Sequence, residues 1–175
     1  DDIADKLPAY MRGYVEGLCS AQKNVYGYNF IEDALTDEWV SDFVSTVGFD
    51  PLPADYETDL KGIIADTYLN CRCTELERKH TLDAISRHFH VDLYTQSDSS
   101  MLPHVKNRGI ADSERVMPKI FKCSKINLNI TLRSIKSGVP QRALDIMGCG
   151  GFLMSNYQPE LAEYFIPGED LVLYD

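Results

Sequence analysis

Gly138-Val139-Pro140-Gln141-Arg142-Ala143-Leu144-Asp145-Ile146-Met147-Gly148-Cys149-Gly150-Gly151-Phe152-Leu153-Met154-Ser155-Asn156 reads as a turn, a helix and a strand in succession. Pro140 suits the first helical turn, where its missing N–H has no intrahelical partner to lose. The helix runs from Gln141 to Cys149, Gly150-Gly151 ends it, and Phe152 to Asn156 follows as a strand. The same rhythm continues on both sides. Ile126 to Ile130 precedes it as a strand, after a short helix that Pro118 starts and that runs through Phe121. Pro159 starts another helix through Phe165, before a last strand from Asp170 to Tyr174. Further upstream, Val91 to Thr95 and, more weakly, His104 to Gly109 are strand candidates. Strands separated by helical patterns predict βαβ units and a parallel sheet, hence an α/β core over residues 90–175.

Residues 1–89 carry a different period. Leu7, Tyr10, Met11, Tyr14, Val15, Leu18, Ala21 and Val25 step by three and four along one helical face. Trp39, Val40, Phe43, Val44 and Val47 repeat the pattern after Thr36, a good N-cap, and Leu60, Ile63, Ile64, Tyr68 and Cys71 repeat it again. Thr74 and Glu77 have capping-box spacing and are expected to open a further helix carrying Leu82, Ile85 and Phe89. Gly48, Pro51 and Pro53 mark the clearest break. The expected object is an α/β domain with a helical N-terminal insertion or extension packed on it.

The 175 residues, 44% hydrophobic and 25% charged, suffice for one domain with a real core, so neither metal nor disulfide is required for folding. With 17 Lys and Arg against 27 Asp and Glu, the net charge is −10. That balance argues against a nucleic-acid binder, which needs a surplus of cations along the phosphates. Five scattered cysteines cannot form a complete disulfide set and point to a reducing, cytoplasmic setting. Cys71 and Cys73 could start a zinc site with His80, His88 or His90, but the spacing is short and a second pair is missing, so ordinary thiols are the favoured reading. No apolar run approaches the length of a membrane helix. The absence of an initiator Met and the strand-like end at Asp175 suggest a piece of a longer chain.

Ligands of an open parallel sheet bind outside the carboxyl ends of its strands, which directs attention to the residues after each strand. Gly138 lets the backbone approach a ligand, and the free amides of the helix after Pro140 attract an anion such as a diphosphate. Arg133 and Arg142 are candidates to add charge-assisted bonds to the same group. An ordinary strand-to-helix turn with solvated arginines is the competing reading. Asp145 lies three residues after Arg142, among apolar neighbours, so its partner is either Arg142 or a ligand hydroxyl. Asn127 and Asn129 alternate on one strand face and need partners, in a cleft or in a neighbouring loop.

Lys125 to Asn129, Gly138 to Leu153 and Glu160 to Phe165 together resemble the group 1-type glycosyltransferases of the spore-maturation-protein CgeB-like branch. The resemblance is strong from about Met117 to Asp175 and fainter over Leu7 to Thr95. It implies the C-terminal, donor-binding half of a bacterial GT-B enzyme, a Rossmann-like domain that holds a nucleoside diphosphate sugar. Transfer to an acceptor would then need an N-terminal acceptor domain missing from this chain, and the fragment alone would be inactive. Asp145 falls where an acid is expected to bind the donor ribose, although relatives outside the branch usually have Glu. A second Glu that contacts the donor sugar in many relatives is replaced by Ser137. Gly138, Val139 and Arg142 would lie near the diphosphate, Arg108 and Gly109 near the base, and Asn156 and Tyr157 in the cleft; Asn129 and Arg133 join the donor-binding candidates from the reading of the strand ends. No metal or other cofactor is implied, because helix amides and basic residues can stabilise the leaving diphosphate. No catalytic residue is assigned. If Arg108, Arg133 and Arg142 gather at one mouth of the sheet, a small basic cleft sits within an acidic surface. The alternative is a non-catalytic interaction or structural module, associated with a spore or cell surface, which Ser137 and the aromatic-rich N-terminal part favour.

Overall fold

The computed structural model of the protein describes residues 3–48 and 59–175, and these fall into two compact units. One takes the chain up to Thr74 together with Leu132–Lys136, and the other takes Glu75–Thr131 and Ser137–Asp175. Of the expected break, Gly48 is described, whereas Pro51 and Pro53 lie outside the described residues.

The first unit is helical, with α1 (Ile3–Lys6), α2 (Ala9–Gln22), α3 (Ile31–Ala34), α4 (Asp37–Val47), α5 (Leu60–Ile64), a π-helical turn at Ala65–Leu69, and the start of α6 (Asn70–Ser86). α2 buries Met11, Val15, Cys19 and Gln22. Of the expected face, Leu7, Met11 and Val15 are buried, whereas Tyr10, Tyr14, Ala21 and Val25 are exposed, because the buried stripe advances by four as far as Cys19 and then reaches Gln22 instead. Gln22 is satisfied inside: its Nε2 donates to the carbonyls of Val25 and Tyr28, and its Oε1 accepts from the Phe30 N–H. Thr36 caps α4, accepting from the Trp39 N–H at 3.2 Å, and Gly48 closes it with φ +70°. Trp39 stands between Tyr14 and Phe43, with ring centroids 5.4 and 5.1 Å away, and Phe43 continues to Tyr68 at 5.4 Å.

Thr74 does not open a helix. It lies inside the continuous α6, and its hydroxyl donates to the Asn70 carbonyl at 2.7 Å, one turn back. Capping-box spacing is a local signal, and here the helix was already nucleated upstream, leaving Thr74 no free amides to cap.

The second unit carries every named strand. β1 (Val91–Leu93) pairs in parallel with β2 (Val105–Asn107); after α7 (Met117–Cys123) come β3 (Asn127–Asn129), α8 (Gln141–Gly148), β4 (Leu153–Asn156), α9 (Pro159–Tyr164) and β5 (Val172–Tyr174). The last three strands form one parallel sheet in the order β3-β4-β5, with Asn129 opposite Ser155 and Asn156 opposite Tyr174. The architecture is mixed α/β with Rossmann-like βαβ units, although the strands form two small parallel sheets and not a single one. Phe121, Ala143, Ile146, Leu153, Leu161 and Leu171 make the core of this unit. No helix of the described residues is long and apolar enough to cross a membrane.

α8 stops in a Schellman arrangement. The Gly150 N–H donates to the Met147 carbonyl and the Gly151 N–H to the Ile146 carbonyl, both at 2.9 Å, with Gly150 at φ +71°. The chain then enters β4, where the buried Asn127 of β3 donates from Nδ2 to the carbonyls of Phe121 and Phe152. Asn127 thus ties the end of α7 to the start of the sheet, which answers the question of its partner.

Candidate functional site

The carboxyl ends of β3 and β4 are joined by a buried polar network. Asn129 Nδ2 donates to Thr131 Oγ1 (3.0 Å) and to Ser155 Oγ (2.9 Å), its register partner on β4. The Thr131 N–H in turn donates to Asn156 Oδ1 at 2.9 Å, and Ser155 Oγ donates to the Asn156 carbonyl. All four residues are buried. Asn127, Asn129 and Thr131 are spaced by two, so the alternation that singles out the asparagines also marks Thr131; Ser155 becomes legible only once the register is known.

Asn156 holds Thr131 in place at the point where the chain leaves β3. Asn156→Ala leaves the buried Thr131 N–H without its acceptor and is expected to cost about 1–3 kcal/mol, read from the midpoint of urea unfolding at unchanged slope.

Beyond the strand ends, the chain approaches α8 through Gly138, whose φ of +102° is a conformation that side chains rarely adopt. Val139 packs on the core and Pro140 takes the N-cap position, with φ −60° and ψ 128°. A proline has no side-chain oxygen to give, and no side chain caps α8. The Ala143 N–H donates to the Pro140 carbonyl at 2.9 Å, which leaves the Gln141 and Arg142 amides of the first turn open to an anionic ligand that the helix dipole favours.

Only Ala143 and Ile146 of α8 are buried, so the helix exposes more than its sequence suggests. Leu144 and Asp145 face solvent; Asp145 is not enclosed by apolar neighbours, as its surroundings in sequence imply. Arg142 is exposed as well, its guanidinium 5.5 Å from the centre of the Phe121 ring. No ion pair joins Arg142 to Asp145 among the described residues, which leaves the carboxylate available for another donor.

The remaining candidates stand elsewhere. Arg108 follows β2 and donates from Nε to Asp92 Oδ1 of β1 at 2.7 Å, with His90 Nε2 at 3.2 Å from the same oxygen. The hydrogen bond from Arg108 holds the Asp92 carboxyl below the usual carboxylate range, against a smaller opposing effect of desolvation. A lowered folded-state value contributes stability above the unfolded-state pKa, and that contribution is lost as pH falls through the folded-state value. Arg108→Gln is therefore expected to bring the Asp92 midpoint up toward the ordinary range, as followed by carboxyl NMR shifts between acid and neutral pH.

Arg133 belongs to the helical unit. Its guanidinium donates to the carbonyls of Val25 (2.9 Å) and Lys23 (3.3 Å) and lies 4.4 Å from the centre of the Tyr26 ring. The eight candidates thus form distinct sets: Gly138, Val139, Arg142 and Asp145 on α8 and its approach, Asn129 and Asn156 in the strand-end network, Arg108 beside Asp92, and Arg133 among the helices.

Among the described residues no three His, Cys, Asp or Glu side chains gather as a metal site. Cys71 is exposed, whereas Cys73 is buried and donates to the Cys19 carbonyl at 3.6 Å, so the C-x-C pair is divided between surface and core. Hydrogen bonding with Cys73, and then burial, push the Cys19 thiol strongly upward, away from a metal-binding thiolate.

A family model described as glycosyl transferase-like matches residues 77–175, more than half of the chain. The match takes in every named strand and all eight candidates. Searches of curated proteins and of solved structures each gave no match.

Proposed function

The chain belongs to the glycosyl transferase-like family, and from that premise we propose that its strand-bearing unit binds the nucleoside diphosphate of a sugar donor at the N-terminal end of α8. The observation that carries this reading is the approach to that helix: a glycine at φ +102°, a first turn that no side chain caps, and Arg142 and Asp145 exposed on the same helix without pairing to each other. The open amides and Arg142 suit the diphosphate, and Asp145 suits a ribose hydroxyl. A leaving diphosphate gains charge as the glycosidic bond breaks, so donors fixed in advance at its oxygens lower the barrier as well as bind.

In this reading the unit is the donor half of a GT-B enzyme of the CgeB-like branch, and the acceptor is held by another domain. Asn156 supports the site from below by fixing Thr131, and Arg108, engaged by Asp92, borders the base. Calorimetric titration of the 175-residue chain with uridine and guanosine diphosphates tests it. One of the two is expected to bind, the matching nucleoside to bind far less, and Asp145→Ala to weaken the diphosphate about tenfold, the size of one hydrogen bond to a charged group. Binding of neither diphosphate, or an Asp145→Ala variant that binds like wild type, favours the non-catalytic module instead.

A further inference from the structure

Within the connection between β3 and α8, Leu132–Lys136 belongs to the helical unit. It is held there at several points. Besides the guanidinium bonds to Lys23 and Val25 and the stacking on Tyr26, the Arg133 N–H donates to Thr74 Oγ1 at 2.9 Å, and the Arg133 carbonyl accepts from Asn29 Nδ2 at 2.8 Å. The same Asn29 amide reaches Asn70 Oδ1, and the buried Asn70 donates onward to Asp66 in the π-helical turn. Lys136 closes the far end of the segment with ion pairs to Glu32 (2.7 Å) and Asp66 (3.6 Å).

Five donors of a planar guanidinium can satisfy backbone carbonyls and stack on a ring at once, a combination that lysine cannot reproduce. Arg133 uses its fork on protein carbonyls. We infer that Arg133 is a positioning residue of the donor site, fixing the connection that leads into Gly138 and α8, and is not itself a ligand of the diphosphate. This rests on the donor reading above. Its partners Tyr26, Asn29 and Thr74 lie before the first residue of the family match.

The test is a mutant cycle on the 175-residue chain, titrated with whichever of the two diphosphates wild type binds. Arg133→Ala and Thr74→Val each weaken binding, the former about tenfold, and the double variant is no weaker than Arg133→Ala alone, because both release the same segment. Arg133→Lys fails to restore affinity. Tyr26→Leu, a milder change that keeps the guanidinium bonds, weakens binding in the same direction. Hydrogen exchange of the amides from Leu132 to Arg142 quickens in all of these. Val15→Ala, which loosens the core of the helical unit away from the segment, leaves affinity unchanged and separates positioning from general destabilisation. Losses that add in the double variant mean that Arg133 contacts the diphosphate directly, and they overturn the inference. Wild-type binding that Arg133→Ala leaves intact overturns it while sparing the donor reading. Failure of wild type to bind either diphosphate overturns both.

Discussion

Gly151→Ala is expected to lower stability by about 3 kcal/mol, which combines overpacking with a disturbed buried hydrogen bond. A Cβ at this position would stand 2.6 Å from the Phe121 carbonyl oxygen, 2.8 Å from Asn127 Nδ2 and 3.1 Å from the Ile146 carbonyl oxygen. None of these can withdraw freely. Phe121 O accepts from Asn127 Nδ2, and Ile146 O accepts the N–H of Gly151 itself, so moving one atom strains the next. The neighbouring glycines are controls with different causes. At Gly150 a Cβ meets only the flexible end of Lys122 at 3.5 Å, and the cost of about 1–2 kcal/mol comes from the left-handed φ alone. At Gly148, the last residue of α8, nothing lies within 4 Å, and alanine is expected to add up to about 1 kcal/mol by favouring the helix. Urea midpoints should therefore rank Gly151→Ala lowest, then Gly150→Ala, then wild type, then Gly148→Ala. A Gly151→Ala midpoint above that of Gly150→Ala would show that close approach is not what excludes a side chain there.

The same three glycines show how far the fold was legible in the sequence. Gly150-Gly151 after an apolar helix announces a stop, and the stop is where it was expected, as are the starts at Thr36 and Pro159. These signals depend on residues a few positions apart, which the chain displays directly. Thr74 misleads for the same reason: its spacing to Glu77 is local, whereas the continuity of α6 depends on the turns before it. The strands are shorter than their apolar runs because the ladder, set by partners far away in sequence, ends before the hydrophobicity does; Ile126 is 57% exposed beside a buried Asn127.

The candidate site divides along the same line. Gly138, Pro140, Arg142 and Asp145 are contiguous, and the turn that precedes α8 could be read from them. The exposure of Asp145 could not, because a short helix touching the core through Ala143 and Ile146 leaves more of its surface free than its composition implies. Arg133 was visible as a cation after a strand, but its carbonyl partners are 108 and 110 residues away, and no pattern near Arg133 encodes them. The alternation of Asn127 and Asn129 on one strand face implies partners for both. Both found them inside the sheet region, in a carbonyl pair and in a Thr131–Ser155 clasp, which makes Asn129 a support of the strand ends.

Leu153→Ala is expected to cost about 2–5 kcal/mol, the range for emptying a leucine site in a packed core. Leu153 is fully buried at the start of β4, in one cluster with Phe121 of α7, Ala143 and Ile146 of α8, Leu161 of α9 and Leu171. The upper part of that range is favoured because the site has little freedom to collapse: Gly151 and Asn127 fix the backbone on one side, and Ala143 has no longer side chain to move in. Leu144→Ala, on the exposed side of the same α8 and 49% accessible, should stay within about 0.5 kcal/mol of wild type. The pair separates core from site. Since Leu153 supports α8 from its buried side while Asp145 lies on its exposed side, Leu153→Ala should lower the urea midpoint and, where still folded, bind the diphosphate as wild type does. Asp145→Ala should do the reverse, weakening the diphosphate while its unfolding midpoint stays in place. If Leu153→Ala lost affinity in proportion to stability, donor binding would depend on the packing of the whole unit, and the exposed face of α8 would not be sufficient to explain it.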